Sequence, residues 1–222
     1  MDSSALAKRS YPLKYLPTLI DGQVNNYDNW RSYDLANGLS EHEYHGMIAF
    51  MGVSGAGKSY LLKNLPSRYS FHVVTASELI KRQIKSRESL SVSSEQMRLS
   101  ATNDMQALLI EAVIIERQTA KFPIILDCHA VIDKGDYLDP VPTDVFEKIG
   151  VLRVIHLVVS PSEIWSRRRG DNSRTRPEIN VERLAQHQNS SIAHARAISL
   201  AIQAEYVETN GSDLNELLKM NC

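Results

Sequence analysis

The stretch "GVSGAGKSY", residues 52–60, decides the fold. It fits the pattern G-x-x-x-x-G-K-[ST], with Lys58 and Ser59 as its last two positions, and it follows the apolar run "MIAFM" at 47–51. Glycines let successive backbone N–H groups turn inward around phosphate oxygens, and a helix that starts at the end of the loop adds its partial positive charge. The sequence therefore predicts a phosphate-binding loop between a buried strand and a helix.

This loop provides most of the predicted nucleotide contacts. Lys58 would reach the β and γ phosphates of ATP, and Ser59 would ligate Mg²⁺. The residues expected to contact ATP are Gly52, Ser54, Gly55, Ala56, Gly57, Lys58, Ser59 and Tyr60. A glycine-rich turn without a ligand is the alternative, and the position between strand and helix argues against it.

A second metal-binding position is predicted at the end of the run "FPIILD", residues 122–127. From there Asp127 can hold a magnesium-bound water beside the loop. The alternative is an Asp that only caps the following turn. We favour the first interpretation, which makes Mg²⁺, bound with ATP, the expected cofactor and Ser59 and Asp127 its residues.

The composition limits the classes of protein. The 222 residues suit one compact domain with an appendage, and a formal net charge of −1 argues against nucleic acid as a partner. Cys128 and Cys222 are too few for a zinc cluster. No apolar run approaches the about 20 residues of a membrane span, and no secretory signal is visible. We therefore expect a cytoplasmic protein that is not bound to a membrane.

Short apolar runs alternate with longer helical patterns from His45 onward, as is typical of an α/β fold. We expect a central parallel five-stranded sheet with helices on both faces, in three layers. The candidate strands are "MIAFM" (47–51), "FHVV" (71–74), "FPIILD" (122–127), "VLRVIHLVV" (151–159) and "EYVET" (205–209).

Several helix positions can also be predicted. A long helical stretch lies between the second and third strands. Another begins at "SPSE", where Ser160 can cap, Pro161 fits the first turn and Glu163 completes a capping box. A helix over 181–203 would direct Leu184, Ile192, Ala195, Ile198 and Ile202 inward, and Ser212 would cap a short last one.

Residues 1–43 do not follow the alternation and form a predicted N-terminal arm. Their aromatic residues are too many for a plain disordered tail: Tyr11, Tyr15, Tyr27, Trp30 and Tyr33. Two interpretations stay open, an arm packed on its own domain and a docking segment for a partner protein or a second copy.

The stretch "RRRGDNSRTRP" contains five arginines around Asp171: Arg167, Arg168, Arg169, Arg174 and Arg176. A run of charges is usually a solvated face. Here a triphosphate-binding loop precedes it, and phosphoryl transfer needs mobile positive charge. The cluster therefore indicates a lid that closes over the reacting phosphates.

With this loop and this lid, the chain resembles the archaeal-type adenylate kinases, a nucleoside monophosphate kinase branch of the P-loop NTPases. The resemblance covers roughly Met47 to the C-terminus. It is carried by "GVSGAGKS", "SSEQMRLS", "IILDCHAVIDKGDYLDPVP", "RRRGDNSRTRP" and "ERLAQHQNSSIAHARAIS".

The resemblance implies a kinase domain over residues 44–222, with a monophosphate-binding helical insert at 75–118 and a short lid at 167–178. It implies transfer of the γ-phosphoryl group from ATP to a nucleoside monophosphate, with AMP expected. The implied acceptor-binding residues are Arg98, Thr75 and His129. The implied catalytic residues are Lys58, the lid arginines Arg168, Arg174 and Arg176, and Asp171, which would orient them.

Two positions depart from the family pattern. Gln96 stands where an acidic residue is common, and Pro177 stands where the lid continues with an acidic residue. Both departures bear on which monophosphate is accepted.

The chemistry of the acceptor leaves alternatives. A nucleoside monophosphate is mostly dianionic at neutral pH because its second pKa is about 6, so its attack needs no general base. A hydroxyl acceptor, such as a nucleoside, a metabolite or a polynucleotide 5′ end, would need one, and Asp127 is the candidate. A third reading is a nucleotide-dependent switch or assembly factor whose arm holds a partner.

The histidines are not read as ligands. His42 and His45 stand three apart, without a further ligand to complete a metal site. Four further histidines are interpreted as partly buried or surface residues: His72, His156, His187 and His194.

Overall fold

The computed structural model describes residues 47–66, 70–88, 93, 96–97, 100, 102–171 and 180–219. In chain order the strands are β1 Met47–Met51, β2 His72–Thr75, β3 Ile124–Asp127, β4 Val131–Asp133, β5 Leu138–Pro140, β6 Val151–Leu157 and β7 Glu205–Thr209. The helices are α1 Lys58–Lys63, α2 Ala76–Glu88, α3 Thr102–Thr119, α4 Thr143–Lys148, α5 Pro161–Gly170, α6 Val181–Ala201 and α7 Leu214–Lys219.

Five of these strands form one parallel sheet in the order β2-β3-β1-β6-β7. The predicted α/β fold with a central five-stranded sheet is confirmed. β1 and β7 have the predicted bounds, β3 and β6 are each two residues shorter at one end, and β2 has the predicted length but lies one residue later. Because all five strands are parallel, their carboxyl ends share one edge, and loops at that edge can build a single site.

The central strand β1 is apolar at every position because both of its faces are buried. Met47, Ala49 and Met51 pack into the cluster on one face of the sheet, whereas Ile48 and Phe50 pack into the cluster on the other. A strand buried on both faces gains no benefit from alternation. The phosphate loop starts directly after this strand, and its first two residues, Gly52 and Val53, are still buried.

The predicted long helical stretch is two helices, α2 and α3. Leu109 and Ala112 are buried, and Met105 and Leu108 pack partly buried against the same cluster, so these four residues form the inward face of α3. A salt bridge between Arg82 of α2 and Glu116 of α3 joins the two helices.

Helix α5 begins as the sequence predicts. The Ser160 hydroxyl accepts a hydrogen bond from the Glu163 N–H over 3.3 Å, with Pro161 in the first turn. The Glu163 carboxylate does not complete the predicted capping box, because it accepts instead from Arg167, one turn further along α5, at 2.5 Å. The cap fixes where α5 starts, and thereby the direction of the arginines at its end.

Two details of the later helices differ from the sequence interpretation. On α6, Ile192 is only half-buried, while the neighbouring Ser191 is fully buried. Ser212 does not cap α7: the Ser212 hydroxyl donates to Asn210 at 2.7 Å, and α7 starts after Asp213, whose carbonyl accepts from Leu217. A polar loop with several Asn, Ser and Asp residues offers competing local bonds, which sequence alone does not rank.

A short antiparallel hairpin, β4 with β5, was not predicted. Its strands are three residues each, too short to show an alternating pattern. The hairpin follows β3 directly and therefore lies near the carboxyl edge of the sheet. Among the described residues, no helix is long and apolar enough to cross a membrane.

Candidate active site

The phosphate-binding loop connects β1 to α1 at the carboxyl edge of the sheet. Gly57 has φ +102°, a left-handed backbone that L side chains rarely adopt. A Cβ atom added at Gly57 would lie 2.8 Å from Nη1 of Arg167. Glycine at this position is therefore favoured by the backbone of the turn, while the nearby Arg167 guanidinium, at the end of a flexible side chain, could shift to admit a Cβ.

The Lys58 side chain lies inside the loop. Lys58 is 6% exposed, and its Nζ donates to the Gly52 carbonyl at 2.9 Å. The same Nζ lies 3.7 Å from Oδ1 of Asp127. The loop thus holds a buried, compensated ammonium group at the place where the motif requires a phosphate-binding charge.

Ser59 and Asp127, both predicted to ligate metal, are brought together. The Ser59 hydroxyl donates to Oδ2 of Asp127 over 2.6 Å. Asp127 is 6% exposed and pairs in register with Phe50 of β1 and Thr75 of β2. Thr75, predicted to bind the acceptor, therefore ends its strand beside Asp127. A hydroxyl and a carboxylate oxygen so close together are hard oxygen ligands of the kind Mg²⁺ prefers.

His129 lies on the other side of the loop. Its Nδ1 is 2.7 Å from the Gly52 carbonyl oxygen, which can only accept, so Nδ1 is the protonated nitrogen and Nε2 is the acceptor. Burial, reinforced by the Lys58 charge, holds the pKa of His129 well below its usual range. The ring is therefore neutral at physiological pH. The neighbouring Cys128 is buried, which raises the pKa of its thiol, so this cysteine is not a nucleophile.

Two arginines from the end of α5 bind carbonyl groups of the loop. Nε of Arg168 donates to the Ser54 carbonyl at 2.9 Å, and Nη1 of Arg167 donates to the Ala56 carbonyl. Arg168 was predicted as a lid residue, whereas Arg167 was named only as a member of the arginine run. Nothing in the sequence distinguishes Arg167 from its neighbours, since the distinction arises from the direction of α5.

The third arginine of that run, Arg169, contacts Trp165 and not the phosphate loop. The guanidinium group of Arg169 lies 4.7 Å from the centre of the Trp165 ring, the distance of a cation–π contact. Asp171 follows the helix, and its N–H donates to the Arg168 carbonyl at 3.3 Å. The lid residues Arg174, Arg176 and Pro177 lie outside the described residues, and their roles stay predictions.

The predicted acceptor segment, residues 93–100, is described at 93, 96–97 and 100, whereas Arg98 itself lies outside the described residues. Ser93 and Gln96 form a reciprocal capping box: the Gln96 side chain accepts from the Ser93 N–H at 2.8 Å, and the Ser93 hydroxyl accepts from the Gln96 N–H at 3.1 Å. Gln96, which departs from the family pattern, therefore does the capping work of an acidic residue. Met97 is 8% exposed and belongs to the core.

Two histidines were misread as partly buried or surface residues. His156 and His187 are fully buried, at 0% and 2% exposure. His156 Nε2 lies 2.9 Å from the Ser191 hydroxyl, and burial lowers the pKa of His156 to about 4.

Within the described part of the chain no cluster of residues could hold a metal through His, Cys, Asp and Glu alone. His42 and His45 lie outside it.

The model of the AAA domain family matches residues 51–185, well over half of the chain. The chain is 29% identical to an adenylate kinase of Thermococcus onnurineus strain NA1 over 163 residues, covering 71% of this chain and 81% of that protein. It is 25% identical to an adenylate kinase of Pyrococcus horikoshii, covering 78% of this chain and 94% of that protein.

Among solved structures, the tunicamycin resistance protein of Deinococcus radiodurans aligns with a TM-score of 0.47 and 16% identity, over 80% of this chain and 93% of that chain. The two archaeal relatives confirm the resemblance that the motifs predict. The family match spans the phosphate loop, Asp127, the end of α5 and the first residues of α6. The chain therefore belongs to the AAA domain family and is a P-loop kinase.

Proposed function

We propose that this kinase transfers the γ-phosphoryl group of Mg·ATP to a nucleoside monophosphate, with AMP as the expected acceptor. The observation that carries the proposal is the state of Asp127. Its Oδ2 accepts from the Ser59 hydroxyl, and its Oδ1 lies 3.7 Å from the Lys58 ammonium. A carboxylate engaged on both oxygens by the phosphate loop is poorly placed to remove a proton from an acceptor hydroxyl.

A phosphate acceptor needs no such base. A nucleoside monophosphate attacks as an anion, and the enzyme must supply positioning and positive charge. Lys58 supplies a buried positive charge at the loop. Arg168, held on the Ser54 carbonyl, places a second one at the end of α5. These groups match an acceptor whose reaction is limited by charge repulsion rather than by proton removal.

Magnesium enters as part of the Mg·ATP substrate. The paired oxygen atoms of Ser59 and Asp127 fit this ion, because both are hard donors and lie 2.6 Å apart at the end of the loop. In this proposal Ser59 binds the ion and Asp127 holds one of its waters. The bound ion would neutralise charge on the phosphates, while Lys58 positions them.

The two archaeal adenylate kinases support AMP as the acceptor, because this chain matches them over 71% and 78% of its length. Arg98, Thr75 and His129 are the proposed acceptor-binding residues. Arg174 and Arg176 are the proposed lid residues, with Asp171 orienting them. The cytoplasmic location, the arm over residues 1–43 and its proposed partner protein or second copy stay predictions.

The test follows where the label of γ-labelled ATP travels. Nucleoside monophosphates, nucleosides and 5′-hydroxyl oligonucleotides are supplied in parallel, with Lys58→Ala as the inactive control. We expect label in ADP when AMP is present and none in the hydroxyl acceptors. Transfer to a hydroxyl would replace the proposal with a hydroxyl kinase, and free phosphate regardless of acceptor would replace it with a switch ATPase.

A further inference from the structure

The β4–β5 hairpin contains a buried lysine that none of the roles above uses. The Lys134 side chain is 7% exposed, an unusual burial for a lysine, whose charge is costly to remove from water. Its ammonium group donates to the Ser100 carbonyl at 2.6 Å and lies 3.9 Å from Oδ2 of Asp139. The hydrogen bond to the Ser100 carbonyl is therefore the shorter and stronger of these two contacts.

Ser100 lies in the acceptor segment, two residues after Arg98. The Ser100 N–H and hydroxyl both bond the Gln96 carbonyl, at 3.0 and 2.8 Å. The Ser100 carbonyl accepts from the Lys134 ammonium group. The segment is therefore fixed on one flank by the buried Met97 and on the other by Lys134.

The hairpin itself is held firmly enough to act as an anchor. The Asp133 carboxylate accepts from the Gly135 N–H at 3.0 Å, and the Lys134 N–H donates to the Tyr137 carbonyl at 3.0 Å. Arg183 of α6 lies 4.0 Å from Asp133. Because the hairpin directly follows the strand that ends at Asp127, it links the phosphate-loop side of the site to the acceptor side.

We propose that Lys134 is a positioning residue for the acceptor: it holds the Ser100 turn, and with it the phosphate-gripping segment, in the geometry that receives the monophosphate. The role rests on the proposed function, because it assumes that this segment binds the acceptor. It acts through Ser100 and not through contact with substrate. Its loss is therefore expected to weaken acceptor use without weakening ATP use.

The first test measures KM for AMP and for ATP in Lys134→Met, which keeps the length of the side chain and removes the donor. We expect KM for AMP to rise about tenfold, the scale for losing a charge-assisted bond, and KM for ATP to stay within about twofold. Lys134→Arg, which keeps a charged donor, should recover a substantial part of the loss. Lys148→Met is the matched control, because Lys148 forms an exposed ion pair with Asp144 within α4. Equal changes in both KM values, or no change, would overturn the proposal.

The second test separates this inference from the proposed function. Amide hydrogen exchange of the peptide over residues 96–105 is followed without any ligand in the wild type and in Lys134→Met. Faster exchange in the variant supports the tether, and unchanged exchange refutes it, whatever the acceptor is. If the wild type transfers no label to any monophosphate, the proposed function fails while this readout still decides the tether.

A third variant covers the case in which Lys134→Met does not fold. Ser93→Ala removes the capping bond on the opposite flank of Arg98 and leaves the hairpin intact. If positioning of this segment controls acceptor use, Ser93→Ala also raises KM for AMP selectively. An unchanged KM for AMP would show that the segment does not need its anchors.

Discussion

The Ser59 hydroxyl and the Asp127 carboxylate meet over 2.6 Å although they are 68 residues apart in the chain. Ser59 lies in the first turn of α1 and Asp127 ends β3, so their contact exists only once β1 and β3 have paired. The same pairing brings the Lys58 ammonium within 3.7 Å of Asp127. These three side chains form the part of the site on which the first two predictions depend.

Lys58→Ala is expected to lower kcat/KM by at least about a hundredfold, because it removes a preorganised charge from the transferring phosphate. Steady-state kinetics measure the effect, and urea unfolding verifies that the variant is folded. Lys63→Ala, at the exposed end of the same helix, is the control and should behave as the wild type. A folded Lys58→Ala variant with normal turnover would rule out the loop as the catalytic nucleotide site.

Asp127→Asn is expected to raise the Mg²⁺ concentration needed for half-maximal activity by about tenfold, because the amide keeps the shape of the side chain but loses its charge. The measurement is a Mg²⁺ titration of activity at fixed ATP. Asp144→Asn, which removes a surface carboxylate of α4, should leave the titration unchanged. An unaltered titration in Asp127→Asn would leave that carboxylate with a structural role only.

Gly57→Ala is expected to weaken ATP binding by about tenfold, because alanine must adopt φ +102°, which strains the loop backbone. ATP dissociation constants from calorimetry measure the effect. Gly170→Ala is the control, because nothing lies within 4 Å of a Cβ added there. Equal affinities for ATP in the wild type and Gly57→Ala would mean that the loop accepts another conformation at no cost.

Stability is expected to fall as the pH drops from 7 to 5. Burial lowers the pKa of His156 to about 4, below its usual 6.5, so the unfolded chain binds more protons in this window and acid favours unfolding. For His156 alone the loss from pH 7 to 5 is about 2 kcal/mol in the free energy of unfolding. Urea unfolding at pH 7, 6 and 5 measures it.

His156→Gln tests the assignment, because glutamine can still bond Ser191 but does not titrate. The variant should lose about that part of the pH dependence, while the contributions of the buried His129 and His187, whose pKa values burial also lowers, remain. The same pH dependence in the variant and the wild type would assign it to other groups.

The sequence predicts the fold well where burial is complete. β1 is apolar at each position because both of its faces are covered, and its bounds are correct. The residues of the phosphate loop and Asp127 could be identified because their motif and their place after strands carry the signal. Their mutual contact follows from parallel strand order.

The sequence does not predict features that depend on how tertiary packing orients individual side chains. Arg167 and Arg169 differ in role because the end of α5 turns one toward the Ala56 carbonyl and the other onto Trp165. Lys134 looks like an ordinary turn residue of "DKGDY", and its burial arises from the approach of Ser100. His156 reads as a polar interruption of a strand, and only the opposite Ser191 explains why it can be buried.

The position of β1 at the centre of the sheet has a consequence for how the molecule folds. β1 comes first among the described strands, yet its partners are β3 and β6, so Met47 finds Ile124 and Val151 only after long segments have been synthesised. Closing such loops is slow compared with local helix formation. Until then the apolar run 47–51 is exposed to other chains, so aggregation competes with folding at this strand. We infer that high expression temperature lowers the yield of folded protein through this competition.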